Sequence, residues 1–258
     1  MFFDDPVVKS FLFYPRKIKE PEKLKSDEKI LKFEVEDGII LGGIIYIKDK
    51  NLPTILLFHG NAELSTDYRL STEPFYEIGV NLAVMDYRGY GFSSGSPSFP
   101  ALISDALPIY LQFIEWIKDN GFKNSIFVMG RSLGSVCASE IGSHNPDDLK
   151  GIIFESGFAN LHDTAARWLN VKELKEGREA ISKYSNDTRI KKFKKPVLVI
   201  HGSNDFVILC EQGKLIYECV PEGVNKELVI IDGAGHNDII YYKDEYFNPL
   251  KKFIEKYK

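Results

Sequence analysis

Short apolar runs rich in β-branched residues alternate with longer amphipathic segments along most of the chain. Runs of this kind predict a mostly parallel β-sheet that is buried on both faces by helices, an α/β architecture. Residues 99–119 carry apolar side chains at helical spacing and predict a long helix, which Pro108 either kinks or starts. The runs interpreted as buried strands are residues 54–58, 82–85, 125–129, 151–155, 196–200 and 227–231.

The N-terminal part of the chain carries a different pattern. Residues 29–36 and 39–48 flank Asp37-Gly38, a two-residue sequence typical of a β-hairpin turn. The first 16 residues are apolar but interrupted, and they lack the early positive charge and unbroken apolar run of a signal peptide. We interpret them as a segment packed over the first strands of the sheet, with peripheral contact to a membrane surface as the alternative.

Residues 157–195 interrupt the alternation, because they contain no strand pattern. They predict one or two short helices, around 161–169 and 172–183, and connections of this length are usually functional lids. We therefore expect one domain over residues 1–258, with 157–195 as a small cap. Ten Lys/Arg and five Asp/Glu give this segment a charge of +5. Arg167, Lys172, Lys175 and Arg178 form either a basic rim over the site or a solvated outer face.

Composition narrows the class of protein. The chain has 258 residues, of which 44% are hydrophobic and 27% charged, as in an ordinary soluble domain. The net charge of −4 offers no general electrostatic basis for binding nucleic acid. Cys137, Cys210 and Cys219 are odd in number and lack metal-binding spacing, which favours reduced thiols in the cytoplasm over disulfides or a zinc site. No apolar run approaches the length of a transmembrane helix.

The sequence Gly130-Arg131-Ser132-Leu133-Gly134 lies between a predicted strand and a predicted helix, which is the context of a nucleophile elbow. The turn is sharp enough to strain the serine backbone, and glycines on both sides leave room where a Cβ would collide. We interpret Ser132 as a nucleophile. The alternative is an ordinary strand-to-helix turn that happens to contain a serine.

A serine hydroxyl needs a base to take its proton and a third group to orient that base. In nucleophile-elbow proteins these partners follow in the chain order serine, acid, histidine. Asp205 follows the run 196–200, and His236 lies in a glycine-rich loop after the run 227–231. We therefore predict Asp205 as the acid and His236 as the base.

The other histidines have less suitable positions. His59 opens the loop after an inner strand, where we expect it to support that loop. His201 precedes the acid and is expected to form a structural hydrogen bond. His144 and His162 fall in the helix after the elbow and in the cap segment.

Three further carboxylates also follow strands or lie near the base. Glu155 is the alternative acid. Asp86 is expected to belong to an ion-paired turn within Asp86-Tyr87-Arg88-Gly89-Tyr90-Gly91, and Asp238 to hold the loop of His236.

An oxyanion hole requires two backbone N–H groups directed at the developing negative oxygen. One comes from the residue after the nucleophile, here Leu133. The other comes from the loop after an early strand, and in His59-Gly60-Asn61-Ala62 the natural donor is Asn61.

In these motifs the chain resembles the α/β-hydrolases, and more narrowly a branch of small-lid serine hydrolases that includes the eukaryotic protein depalmitoylases and many uncharacterised bacterial relatives. The resemblance extends from Lys29 onward and implies an eight-stranded, mostly parallel sheet, a small helical cap after the sixth strand, and no cofactor or metal. The blocks that carry it are residues 59–62, 86–93, 94–98, 130–134, 201–205 and 235–238.

The chain departs from this branch at three points. Glu63-Leu64 replaces a Gly-Asn pair found in many relatives, so we expect a different pocket wall. Ser135 stands where relatives often have a third glycine. The N-terminal cysteine cluster of the depalmitoylases is absent, which weakens the interpretation as a membrane-bound depalmitoylase.

The leading hypothesis is a cytoplasmic serine hydrolase that cleaves carboxylic esters or thioesters of small-molecule or acylated substrates through an acyl-enzyme. A serine peptidase or amidase using the same residues is the second hypothesis. A catalytically silent scaffold that binds a ligand or partner is the third.

Overall fold

Eight strands form one sheet in the order β1-β2-β4-β3-β5-β6-β7-β8 in the computed structural model, which describes residues 12–122, 125–167, 179 and 181–258. The pairs β1–β2 and β2–β4 are antiparallel and the other pairs are parallel. The strands are β1 Glu28–Glu36, β2 Ile39–Tyr46, β3 Thr54–Phe58, β4 Asn81–Met85, β5 Ile126–Arg131, β6 Leu149–Glu155, β7 Val197–Gly202 and β8 Lys226–Ile231. The predicted α/β architecture with eight mostly parallel strands is confirmed.

Helices cover both faces of this sheet. The helices within the described residues are α1 Thr72–Glu77, α2 Phe99–Asp119, α3 Ser135–His144, α4 Leu161–Ala165, α5 Asp187–Ile190, α6 Cys210–Cys219 and α7 Lys243–Tyr257. Short 3₁₀ turns lie at Ser65–Leu70, Ser132–Gly134 and Ile239–Tyr241. Helix α2 has the predicted bounds, because the Ser98 hydroxyl caps the N–H of Ala101 at 3.1 Å and Pro108 is accommodated inside the helix.

The core lies in two layers, one on each face of the sheet. Every residue of β3 and β4 is buried, as continuous apolar runs in a doubly covered sheet require. One layer contains α2 and α3, and the other contains α7. The parallel strands therefore direct their carboxyl ends to one edge, where the candidate site residues follow them.

The second strand ends earlier than the sequence pattern indicates. Strand β2 stops at Tyr46, because the backbone N–H groups of Lys48 and Asp49 donate to the Asn81 side chain, at 2.8 and 3.2 Å, instead of continuing the ladder. The hairpin turn at residues 37–38 is as predicted, with Gly38 at a φ of +71°.

Of the N-terminal segment predicted to pack over the first strands, residues 1–16, the structure describes residues 12–16. Residues 12–18 lie mainly across the loops that follow β3 and β4: Ile18 donates to Gly91 O at 3.0 Å, and Gly91 donates to Arg16 O at 2.8 Å. Phe13 is buried, with its ring centroid 5.3 Å from that of Phe99. Within the described part of the chain, no helix has the length and apolarity needed to cross a membrane.

The predicted cap segment follows β6, as expected, and only part of it is described. Helix α4 corresponds to the start of the helix predicted at 161–169, and α5 was not predicted. The helix predicted at 172–183 falls largely on residues 168–178 and 180, which lie outside the described residues together with Lys172, Lys175 and Arg178. Arg167 donates to Phe206 O at 3.0 Å.

A buried asparagine ties the end of this segment to the elbow helix. Asn186 donates to the Ser135 hydroxyl at 3.0 Å and to Phe158 O at 2.8 Å, and it accepts from Ser139 at 2.8 Å. Ser135, one of the departures from the related branch, therefore supplies a contact that a glycine lacks.

Candidate active site

The nucleophile elbow is built by close backbone packing. Ser132 has a φ of +51°, a left-handed conformation that is strained for a residue with a side chain. A Cβ on Gly134 would lie 1.9 Å from Phe58 O, and one on Gly130 would lie 2.5 Å from Gly134 O. The two glycines therefore allow β5, the turn and β3 to approach closely enough to hold Ser132 at the carboxyl edge.

This packing predicts a large loss of stability in Gly134→Ala. The new methyl collides with main chain, which moves only by shifting β3 or α3, so we expect a destabilisation of about 3 kcal/mol or more. Gly121→Ala is the control, because a Cβ there meets nothing within 4 Å. It carries only the cost of an alanine at a φ of +73°, whereas Gly134 has an ordinary φ of −62°, so backbone strain acts against the control alone. Urea unfolding should show a much lower midpoint for Gly134→Ala than for Gly121→Ala, and equal midpoints would contradict the packing argument.

Ser132 and His236 are in direct hydrogen-bond contact. The distance from His236 Nε2 to Ser132 Oγ is 2.9 Å, and the distance from His236 Nδ1 to Asp205 Oδ2 is 2.7 Å. An ionised carboxylate only accepts hydrogen bonds, so Nδ1 carries the proton and donates to Asp205. This leaves the Nε2 lone pair of neutral His236 to accept from the Ser132 hydroxyl. The structure thus brings together the three residues predicted as nucleophile, base and acid.

Asp205 is held by several donors in a buried position. Its Oδ1 accepts from the N–H groups of Val207 and Ile208 at 2.9 and 2.8 Å, and its Oδ2 lies 3.3 Å from His201 Nε2. Burial alone raises the pKa of Asp205, but the hydrogen bonds from His201, His236 and the Ile208 N–H outweigh burial and hold the pKa well below its usual range. Asp205 is therefore ionised at neutral pH.

The loops that carry Asp205 and His236 are bonded to each other. Asn204 donates to Ala234 O at 2.9 Å, and the N–H of Gly233 donates to the Ser203 hydroxyl at 2.8 Å. Asp238 accepts from the N–H of Gly235 at 2.6 Å, so it holds the loop of His236 as expected. These bonds fix the two strand-end loops relative to each other and thereby set the distance between acid and base.

Asn61 and Leu133, the predicted oxyanion donors, line the same cavity as Ser132. This cavity has a volume of about 220 Å³ and an otherwise mostly apolar lining. Its apolar residues come from the N-terminal segment, the start of α2, the cap segment and the loop after Asp205: Leu12, Tyr14, Phe99, Phe158, Leu161, Ala165, Val207 and Ile208.

His59 has a supporting position below the oxyanion loop. It is fully buried, its Nδ1 lies 2.7 Å from Gly60 O, and its Nε2 lies 3.2 Å from Asp86 Oδ1. Asp86 also accepts from the N–H and hydroxyl of Ser65, at 2.6 and 2.7 Å.

The ion pair expected within the turn at residues 86–91 does not form between Asp86 and Arg88. Arg88 turns away from Asp86 and pairs with Asp105 and Glu36, at 2.6 and 2.7 Å. Asp86 instead points inward, toward His59 and Ser65. The sequence placed Asp86 and Arg88 close together in the chain, but the turn sends their side chains to opposite sides.

His201 forms the structural hydrogen bond that its position predicts. It is fully buried, and its Nε2 donates to Ile208 O at 2.9 Å. A Cβ on Gly213 would lie 2.5 Å from His201 Nδ1, so helix α6 packs directly against this imidazole. His201 therefore supports the loop of Asp205 and has no contact with Ser132.

A buried charged cluster behind the elbow was not anticipated. Arg131 lies 2.9 Å from Glu63 and 3.5 Å from Glu155, and it donates to Asn237 at 3.1 Å. Burial raises the pKa of Glu155 more than Arg131 and the Tyr246 hydroxyl lower it. For Glu63 the charge of Arg131 and the hydrogen bond from the Tyr68 hydroxyl outweigh burial and lower the pKa.

These contacts place Glu155, the alternative acid, beside Arg131 and Tyr246 and not beside His236. Glu63 was noted only as a departure from related sequences. The signal in the sequence for this cluster was Arg131 itself, a charged residue at the end of a buried apolar strand, where a carboxylate partner is favoured.

Comparison with known proteins identifies the family of this chain. A family model described as serine aminopeptidase, S33, matches residues 49–186, more than half of the chain. The chain belongs to this α/β-hydrolase family. It is accordingly a serine hydrolase, and its matched region includes the oxyanion loop and the elbow.

Two named proteins have sequences similar to that of this hydrolase. It is 30% identical over 184 residues to zebrafish lysophosphatidylserine lipase ABHD12, covering 64% of this chain and 47% of the zebrafish protein, so it spans about half the length of that relative. It is 29% identical over 230 residues to alpha/beta hydrolase domain-containing protein 17C of Xenopus tropicalis, covering 88% and 69%.

The fold of the hydrolase is shared with a solved archaeal structure. The Pyrococcus furiosus esterase Pf2001 superposes with a TM-score of 0.73 at 22% identity, covering 94% of this chain and 98% of that one. At 22% sequence identity, this structural similarity is evidence for a shared fold.

Proposed function

We propose that this hydrolase cleaves carboxylic esters or thioesters of small-molecule or acylated substrates, with Ser132, His236 and Asp205 as a catalytic triad. The observation that carries the proposal is the pair of hydrogen bonds, 2.9 and 2.7 Å, that joins the three side chains at the edge of an apolar cavity. A silent scaffold has no need of this alignment or of the strained serine backbone.

The geometry supports a two-step reaction without a cofactor. Ser132 Oγ attacks the carbonyl carbon while its proton passes to His236 Nε2, and Asp205 stabilises the resulting imidazolium. The N–H groups of Asn61 and Leu133 stabilise the oxyanion. His236 then gives the proton to the departing alcohol or thiol. Water attacks the acyl-enzyme, with His236 again taking the proton, and the acid and free Ser132 are released.

The lining of the cavity favours an apolar acyl group. Phe99, Phe158 and Leu161 are buried, and Val207 and Ile208 come from the loop that Asp205 holds. The names of an esterase and a lipase among the similar proteins support an ester substrate. We also propose a cytoplasmic location, on the cysteine content alone.

The cavity volume predicts a preference for acyl chains of medium length. An apolar cavity of about 150 Å³ holds benzene, so about 220 Å³ suits an acyl group of roughly six to nine carbons. In a series of 4-nitrophenyl esters from acetate to palmitate, kcat/KM should peak in this range. A maximum at acetate would show that the cavity does not hold the acyl chain.

Two neighbouring alanines provide a matched test of this assignment. Ala165 is buried and lines the cavity, whereas Ala166 is exposed and lies outside the lining. Ala165→Leu should shorten the preferred acyl chain by about two carbons, because each methylene without room costs roughly 10-fold or more in specificity. Ala166→Leu should leave the preference unchanged. Identical chain-length profiles in the two variants would place the acyl chain elsewhere.

The family description names an aminopeptidase, so amide cleavage is the second candidate. An aminopeptidase must recognise a free ammonium group near the scissile bond. The described residues that line the cavity around Ser132 are neutral, and none of them is a carboxylate. We therefore expect the 4-nitrophenyl ester to be turned over far faster than the matched amino-acyl 4-nitroanilide, and the reverse order would favour a peptidase.

A further inference from the structure

The N-terminal strap, residues 12–18, is bonded directly to the loop that carries Asn61. Tyr14 N–H donates to Asn61 Oδ1 at 2.9 Å, and Asn61 Nδ2 donates to Leu12 O at 3.1 Å. Arg16 donates through Nη1 to Ala62 O at 3.1 Å and lies 2.6 Å from Asp67 Oδ2. About 50 residues of sequence separate the strap from this loop, so the contacts form only in the folded chain.

The Asn61 side chain is fully engaged in these contacts. Its Oδ1 accepts from Tyr14 N, from the Tyr90 hydroxyl at 2.6 Å and from Ala62 N at 3.1 Å, while its amide donates to Leu12. The side chain therefore serves the strap, and the backbone N–H is the group left to meet a substrate oxyanion.

The peptide group that supplies this N–H is also held by a side chain outside the strap. Gly60 O belongs to the same peptide unit as Asn61 N–H, and it lies 2.7 Å from His59 Nδ1. The preceding N–H, that of Gly60, donates to Glu63 at 2.9 Å. The loop is thus held by His59 and Glu63 as well as by the strap.

Ala62 shows why the strap is needed. Its φ is +63°, a left-handed conformation that costs a residue with a side chain on the order of 1 kcal/mol. Such a residue keeps its conformation only where its surroundings hold it. The Arg16 guanidinium holds the Ala62 carbonyl, and Asn61 Oδ1 holds the Ala62 N–H.

We propose that the strap positions the oxyanion donor, and that Arg16 is a positioning residue for catalysis although it lies outside the elbow, the triad loops and the oxyanion loop. This inference rests on the proposed function, because it assigns the Asn61 N–H to the oxyanion. Arg16 acts by holding Ala62 in its left-handed conformation, which sets the direction of the neighbouring Asn61 N–H.

Because Arg16 is exposed, an effect of its substitution on catalysis can be distinguished from an effect on stability. The side chains of Arg16 and Asp67 are 52% and 39% exposed, and ion pairs with such access to water contribute little to stability. Arg16→Ala should therefore leave the thermal midpoint almost unchanged. Because small misplacements of catalytic groups cost up to about 100-fold in rate, we expect kcat to fall roughly 10-fold with KM nearly constant.

The experiment compares Arg16→Ala, Arg16→Lys and Asp67→Asn with the wild type. For each, kcat and KM are measured with the preferred ester, together with the affinities for a trifluoromethyl ketone and a methyl ketone of the same chain length. Ser132 Oγ adds to the trifluoromethyl ketone, its proton passes to His236, and the adduct oxygen enters the oxyanion hole. The methyl ketone remains a free carbonyl and reports ground-state binding.

Arg16→Ala should lower the affinity for the trifluoromethyl ketone by the same factor as it lowers kcat/KM, about 10-fold. Its affinity for the methyl ketone should stay within about twofold of the wild-type value. Arg16→Lys should recover part of the loss. Asp67→Asn removes the charge of the ion pair but leaves Arg16 on Ala62, so its kcat should stay within about twofold of the wild type.

Two results would overturn the inference while the wild type remains active. One is an Arg16→Ala enzyme with unchanged kcat and unchanged trifluoromethyl ketone affinity. The other is a loss in Asp67→Asn equal to that in Arg16→Ala, which would assign the effect to the ion pair. A wild type that neither hydrolyses esters nor binds the trifluoromethyl ketone would contradict the proposed function, and the strap inference would fall with it.

Discussion

Ser132→Ala is expected to lower kcat for ester hydrolysis by roughly three or more orders of magnitude, with the fold intact. The substitution removes only Oγ, whose contact is His236 Nε2 at 2.9 Å. The backbone at φ +51° is held by glycine packing on both sides and does not depend on the hydroxyl. The variant loses the attacking atom but keeps the cavity and the oxyanion donors.

Steady-state hydrolysis of the preferred 4-nitrophenyl ester measures this loss. Ser143→Ala is a suitable control, because Ser143 lies in the same helix, α3, and its hydroxyl bonds only locally, to Glu140 O at 2.8 Å. The control should keep wild-type kcat. Full activity in purified Ser132→Ala would remove Ser132 from the mechanism.

Asp205→Asn is expected to lower kcat by about 10⁴-fold, although the two side chains have nearly the same shape. The donors Val207 N–H and Ile208 N–H point at Oδ1, so the amide oxygen takes that position. The amide NH₂ then faces His236 Nδ1 and forces the proton onto Nε2. In that tautomer His236 cannot accept the proton of Ser132.

Glu155→Gln is the control for the identity of the acid. Glu155 is buried and ends a neighbouring strand, but it bonds to Tyr246 at 2.6 Å and lies 3.5 Å from Arg131. Its loss should cost stability and at most about 10-fold in kcat, far less than Asp205→Asn. If Glu155→Gln lost more activity than Asp205→Asn, the acid would have been assigned to the wrong strand.

The parts of the fold that follow from local pattern were predictable. Strand β3 is a continuous apolar run, and β5 and β7 begin with one. The bounds of α2 agree because Ser98 caps it and its apolar face repeats at helical spacing. The order of Ser132, Asp205 and His236 along the chain was predictable from the order that nucleophile-elbow proteins share.

Features that depend on contacts distant in sequence were not predictable. Nothing near Arg16 indicates that it reaches Ala62, and nothing near Glu63 indicates that it pairs with Arg131. The inward turn of Asp86 toward His59 is of the same kind, because its direction depends on Ser65 in another loop. The short helix α5 has too few residues to show a helical repeat of apolar positions. Its position depends on the buried Asn186 just before it, which bonds to Ser135 in helix α3.

Ser132 is expected to react as a nucleophile that His236 and Asp205 activate. The most direct test is to treat the wild-type protein with a fluorophosphonate at neutral pH and locate the adduct by peptide mass spectrometry. We expect one phosphonyl group per chain, on the peptide that contains Ser132, and no such adduct in Ser132→Ala. A wild-type protein that stays unlabelled, or an adduct on another residue, would show that Ser132 is not an activated nucleophile.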